Sequence, residues 1–168
     1  MSETSPSPSL GLSPASRRKF LVVADNSPES KVAIRFAARR AQHTGGTVTL
    51  LAVIPPADFQ QWAGVERMMR EEALQEADQM LQDAASVVTD IAGEIPERVV
   101  REGRTAEQVQ ALIKEDKAIS ILVLAAGVSK DGPGPLVSAI ARPGASSYPI
   151  PVTVVPGSLT DQQVDALA

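Results

Sequence analysis

Two hydrophobic rhythms alternate along this chain. Unbroken apolar runs are FLVVA at Phe20–Ala24, TVTLLAVI at Thr47–Ile54, ISILVLAA at Ile119–Ala126 and PVTVV at Pro151–Val155. Each is short and bounded by turn residues, so each reads as a strand. IPERVVR, Ile95–Arg101, is a weaker fifth. Between these runs apolar residues recur every three or four positions, the period of an amphipathic helix. Ala33, Ala37 and Ala41, with Phe36 beside them, form the first such stripe. Ser27 suits its N-cap, Pro28 its first turn, and Gly45-Gly46 its end. The longest stripe runs from about Val65 to Ile91 through Met69, Ala73, Ala77, Met80, Ala84 and Val87. A third begins at Thr105 as cap and continues through Ala106, Val109 and Ile113. A fourth opens at Pro135 and runs through LVSAIA.

Strands alternating with helices predict an α/β domain, a parallel sheet with helices on both faces. ISILVLAA is apolar on both faces, as a central parallel strand should be. Met1–Arg17 is rich in Ser and Pro, has little to bury, and reads as a disordered tail. The domain then spans 18–157. Residues 158–168, SLTDQQVDAL and a final Ala, form a C-terminal tail with a short helix signal of its own. No internal repeat is visible.

Composition narrows the picture. The 168 residues are 43% hydrophobic but only 3% aromatic, so Ala, Val, Leu and Ile must build the core. A net charge of −4 gives nucleic acid no broad electrostatic footprint. No cysteine is present, which excludes a disulfide framework, Cys-ligated zinc and a thiol nucleophile, and fits a reducing compartment. No apolar stretch approaches the roughly 18 residues of a membrane span. The N-terminus lacks the charged and apolar regions of a secretory signal. The expectation is a cytoplasmic protein without a membrane.

The stretch AAGVSKDGPGPLVSA, Ala125–Ala139, follows a buried strand and precedes a helix. Such Gly-rich loops often hold phosphate in α/β proteins. A helix opening at Pro135 presents the amides of Leu136, Val137 and Ser138, with Lys130 nearby and the Ser138 hydroxyl as a further donor. The plain alternative is a turn and a helix start. Asp25 ends the first strand. The ends of the first and fourth strands of a doubly wound sheet flank its crevice, which places Asp25 beside Ala125–Val128. In DNSP an Asp also forms turns by accepting nearby backbone N–H groups. His43, the only histidine, sits at a helix C-terminus far from this crevice, which argues against a Ser-His-Asp triad or a histidine metal site. Met68, Met69 and Met80 read as core filler. Trp62, beside Phe59, folds onto the sheet or marks a contact surface. Arg17, Arg18 and Lys19 read as a solvated flank.

The order of elements and several motifs resemble the universal stress protein family from Arg18 to Pro156. FLVVADNSPES resembles the family's opening strand with its Asp, LLAVIPP its second strand, REGRTAEQV the entry to its third helix, and IPVTVVPG its closing strand. The resemblance implies a Rossmann-like sheet of the adenine nucleotide alpha hydrolase type, with strand order 3-2-1-4-5. It also implies that Asp25 contacts an adenine base and that backbone groups of Val53 lie near it; the plain reading of Val53 is sheet core. ATP-binding members carry Gly-x2-Gly-x9-Gly-Ser/Thr after the fourth strand. Aligned from either side, these places here hold Ala125, Val128, Ser138 and Ala139. Gly127, Gly132 and Gly134 lie off the pattern. Val128 would be strained by roughly 1–2 kcal/mol in a left-handed conformation and its side chain would take up phosphate space. Pro133 and Pro135 remove amide donors.

Two readings lead, and a third, slow nucleotide hydrolysis, finds no general base, metal pair or Lys-Ser/Thr phosphate loop to support it. In the first, the protein is a stress-response regulator, not an enzyme. It acts as a homodimer through its Val152–Val155 edge and through an unnamed protein partner, without binding ATP in the usual way. The resemblance points to that dimer, and an apolar sheet edge invites such pairing. Folding back of the C-terminal tail over the edge is the alternative. In the second reading, it is a sensor of ATP or another adenine nucleotide. The crevice then uses Asp25, Val53, Gly127, Lys130, Gly132, Gly134 and Ser138.

Overall fold

The computed structural model describes residues 17–56, 63–142 and 148–168. Most of the N-terminal tail, Phe59 and Trp62 lie outside the described residues. The elements are β1 (Lys19–Val23), α1 (Pro28–Thr44), β2 (Thr47–Ile54), α2 (Ala63–Ala92), β3 (Glu97–Glu102), α3 (Thr105–Glu115), β4 (Ile119–Ala126), α4 (Pro135–Ala141), β5 (Val152–Pro156) and α5 (Asp161–Leu167). All strand pairs are parallel and the order is β3-β2-β1-β4-β5. Val22 of the central strand lies level with Leu50 on one side and Val123 on the other.

The period of two along each strand divides the core. Phe20, Val22, Leu50, Ala52 and Val123 point into one layer, with α1 and α2. Leu21, Leu51, Leu122 and Leu124 point into the other, with Val109, Leu112 and Ile113 of α3. Strands buried on both faces had to be apolar without alternation, which is what the sequence runs display. At the N-terminal ends of the strands, Lys19 Nζ stands 2.8 Å from Glu97 and 2.6 Å from Asp116, and the buried Thr49 hydroxyl donates to Glu97 at 3.1 Å.

The two sheet edges differ. β3 carries Glu97, Arg98, Arg101 and Glu102, and Arg101 pairs with Glu115 while Glu102 pairs with Arg70. β5 reads VTVVP, with Val154 41% exposed, and β4 is its neighbour in the sheet. α5 packs on α1.

Three local expectations shift. In α2 the buried side chains are Ala77, Leu81, Ala84 and Val88, whereas Met68, Met69 and Val87 are exposed. One residue is a 100° step around a helix, so Leu81 and Val88 point at the sheet and Val87 points away. Met80 still packs partly against the core. Met68 and Met69 lie in the first turns, before the helix reaches full contact with the sheet. Ile95 is 83% exposed, because pairing in β3 begins only at Glu97, after Pro96. Helix α3 starts one residue early, with Thr105 inside it and Arg104 as an N-cap without a side-chain hydrogen bond.

Candidate functional site

Two crossovers leave the C-terminal ends of neighbouring strands β1 and β4, and a cavity of about 660 Å³ opens between them. This is the switch point of the sheet, where successive connections run to opposite faces.

The β1 side is a tight turn. The Asp25 carboxylate accepts the Ser27 N–H at 2.8 Å. The Ser27 hydroxyl accepts the Ser30 N–H at 3.2 Å, capping α1. The buried Ser30 hydroxyl in turn accepts the Asp25 N–H at 3.0 Å. Asp25, Ser27 and Ser30 thus answer one another, and Asp25 is both the turn-former and a wall of the cavity.

The β4 side is a longer loop, Gly127–Gly134, leading to the seven-residue α4. Its backbone turns left-handed at Gly132 (φ +95°) and Gly134 (φ +100°), conformations that cost glycine little. Val128 is not in such a conformation, so it carries no strain of that kind. Its side chain is 62% exposed and does not line the cavity. The expectation that it fills the crevice is therefore corrected: Gly132 and Gly134 have taken the turns over. The loop amides are largely engaged. Gly127 N–H donates to Pro133 O at 3.1 Å, Gly132 N–H to Ser129 O at 3.2 Å, and Asp131 N–H to the Ser129 hydroxyl at 3.4 Å. Ser138 N–H, expected at a free helix start, donates to Gly134 O at 3.0 Å. Pro133 and Pro135 have no N–H to give. Leu136 and Val137 keep the first-turn amides.

The structure brings Asp25, Val53, Gly127, Gly132, Gly134 and Ser138 to one cavity. Lys130 is not in its lining. The sequence reading missed Glu29, Thr105, Asp131 and Arg142, which also line it. The Glu29 carboxyl is held below its ordinary pKa, chiefly by its own backbone N–H and further by the Val128 N–H and the Ser27 hydroxyl. Its side chain lies against Gly157, where an added Cβ would sit 2.3 Å from Glu29 Cγ and 2.7 Å from Ala126 O. Gly157 N–H also donates to Ala126 O at 3.0 Å. Only a residue without a side chain fits there. The cavity lining thus carries three carboxylates, Asp25, Glu29 and Asp131, against one guanidinium, Arg142. Among the described residues no cluster of three or more His, Cys, Asp or Glu is placed to hold a metal ion. His43 stands at the other end of α1, with Nδ1 2.9 Å from the Ala168 carbonyl oxygen.

Comparison with known proteins supplies the family. The model described as "Universal stress protein family" matches residues 16–156. No curated protein matches the sequence. Among solved structures, universal stress protein UspA from Lactobacillus plantarum is 18% identical, with a TM-score of 0.71, covering 82% of this chain and 97% of its own. The Archaeoglobus fulgidus universal stress protein in complex with dAMP is 17% identical at a TM-score of 0.58, covering 83% and 98%. An Arabidopsis thaliana member with AMP bound is 14% identical at 0.53, covering 83% and 91%. At these identities the likeness establishes the fold.

Proposed function

This chain belongs to the universal stress protein family, and on that basis we propose that it is a stress-response regulator working as a homodimer through partner contacts, without holding ATP in the usual way. The observation that carries the reading is the state of the β4–α4 loop. Its amides at Gly127, Asp131, Gly132 and Ser138 already have acceptors within the loop and helix. Its places for the family's three glycines hold Ala125, Val128 and Ser138, and Ala139 stands where the motif has a hydroxyl. Three carboxylates in the lining, against one guanidinium, oppose a polyphosphate by like-charge repulsion. No catalytic step is assigned. Its place is the cytoplasm; among the described residues no helix is long and apolar enough to cross a membrane.

The dimer follows from the contrast of edges. Charged β3 is blunted against pairing, and VTVV of β5 is not. Antiparallel pairing of β5 with its two-fold mate would satisfy its outer backbone groups and cover Val154.

A second reading has its own support. The cavity gathers six of the seven residues named for an adenine-nucleotide sensor, and relatives of the same fold are solved with dAMP and AMP. One experiment separates the two. The purified protein is denatured and the released small molecules are identified, then Mg-ATP is titrated by calorimetry. An empty protein with affinity weaker than micromolar supports the regulator. Near-stoichiometric adenine nucleotide, or a sub-micromolar dissociation constant, supports the sensor. Light scattering on wild type and on Val154→Lys and Val154→Pro, at the exposed position of β5 and not at buried Val155, tests the dimer. A wild-type monomer at micromolar concentration, or a dimer indifferent to the substitutions, ends that part.

A further inference from the structure

The family match ends at residue 156, and α5 lies beyond it. This short helix is seated by an uncommon arrangement. Arg35 and Arg39, one turn apart on α1, both close on the same carboxylate. Arg35 Nε and Nη2 donate to the two Asp165 oxygens at 2.9 and 2.7 Å. Arg39 Nε and Nη2 donate to the same oxygens at 2.9 and 3.1 Å. Arg35 also reaches Asp161 at 3.6 Å. Between the two acids of α5, Val164 is fully buried. The pattern is acid, two residues, then an apolar side chain and an acid, on one face of one helix.

Beyond these pairs, α5 has a capping box between Thr160 and Gln163, the His43 contact to Ala168 O, and Leu159 against the core just ahead of it. Val164 is its one buried side chain, Leu167 is 65% exposed, and the helix is seven residues long. A segment with so little buried apolar surface, held mainly by charge-assisted bonds at a solvent-accessible edge, belongs to the parts of a protein that open locally. Its release would leave two arginines with no acid between them, beside the seat of a valine.

From this geometry we infer that the α1 face bearing Arg35 and Arg39 is a docking groove for an acidic amphipathic helix of a partner protein, filled in cis by α5. The partner's chemistry is read from the cis occupant: two carboxylates one turn apart and a small branched apolar residue next to the second. Helix-in-groove recognition of this kind takes affinity from the apolar anchor and selectivity from the bidentate pairs. α5 competes for the same face, so the partner meets an effective groove reduced by the fraction of chains in which α5 is seated. The inference rests on the partner-contact reading above and names the partner's chemistry. It is independent of the β5 pairing and of the crevice, whose tests read mass and bound nucleotide.

The test uses the full chain and a fluorescein-labelled peptide of residues 158–168 as the probe, read by anisotropy. Val164→Glu with Asp165→Lys releases α5. The released chain is expected to bind the peptide at least tenfold more tightly than wild type does. Adding Arg35→Glu and Arg39→Glu is expected to remove at least tenfold of that affinity. A peptide with Asp161→Lys and Asp165→Lys should not bind. Absence of binding to a released chain with a native circular dichroism spectrum overturns the inference, as does binding indifferent to the arginine reversals or equal in wild type. If the double variant does not fold, Asp161→Asn with Asp165→Asn takes its place, with the same expectations. A wild-type assembly larger than a dimer that Arg39→Glu dissolves would make a second copy's α5 the occupant and overturn the partner form.

Discussion

α1 and α4 leave neighbouring strands at the same end of the sheet, each opening with a proline, yet they are built to different standards. α1 has 17 residues, six of them buried, and a hydroxyl cap at Ser27. α4 has seven residues, none fully buried, and an N-cap at Gly134 without a side-chain hydrogen bond. The crevice between them therefore has one fixed wall and one that can give. α1 sits close because Ala33, Ala37, Ala38 and Ala41 allow it to lie against the sheet. α4 touches its layer only through half-buried Leu136, Val137 and Ile140. In such a pair, adaptation to a ligand or partner falls to the weaker wall.

The largest test of this contrast is a pair of truncations read by urea unfolding. Ile34→Ala, in the fixed wall, should cost about 2–5 kcal/mol, as buried isoleucine truncations do. Ile140→Ala should cost on the order of 1 kcal/mol, since a half-buried side chain gives up less area. Equal losses would erase the distinction. A smaller effect belongs to the caps. Ser27→Ala should cost about 1 kcal/mol by removing the acceptor for Ser30 N–H, whereas Ser138→Ala on α4 should stay within about 0.5 kcal/mol. A Ser138 effect as large as that of Ser27 would show the yielding wall to be pinned after all.

The smallest and most specific test is acid titration of the fixed wall's outer clamp. Asp165 is held well below the usual carboxylate range by hydrogen bonds from Arg35 and then Arg39. Its folded pKa is depressed, so its contribution is complete above the ordinary aspartate value near 4 and is lost as pH falls through the depressed one. The carboxyl resonance of Asp165, followed by NMR, should still be that of an anion where exposed aspartates have protonated. In Arg35→Ala with Arg39→Ala it should titrate with them. An unchanged titration would show that the guanidinium groups do not hold it.

Much of the fixed wall was legible in the sequence. FLVVA, TVTLLAVI and ISILVLAA are buried on both faces and could not be mistaken for alternating strands. Ser27-Pro28 and Gly45-Gly46 mark α1 by local chemistry alone. The strand order came with the family resemblance, since periodicity does not specify order. The crevice was legible only in part. Asp25 and the Gly-rich loop are found by their position after strands. Glu29 becomes a wall residue because Gly157, 128 positions later, packs against its side chain, and no local pattern announces such a contact. The turns at Gly132 and Gly134 also escaped, because which glycine goes left-handed depends on the hydrogen bonds closing the loop. In α2 the stripe was read through Met80 and Val87, whereas the neighbours Leu81 and Val88 are the ones buried, a choice of register that only the sheet decides.

The charges along β3 bear on the count of copies that can come together. A sheet whose two edges are both bare can recruit copies at each end, and growth then has no natural stop. Here Glu97, Arg98, Arg101 and Glu102 close one end, with partners drawn from β1, α2 and α3. If β5 meets its mate across a two-fold axis, each sheet has used its sticky end and presents its charged one outward on both sides. The product is a ten-stranded sheet, two sets of five, that is finite: a closed pair, and not the first unit of a fibre.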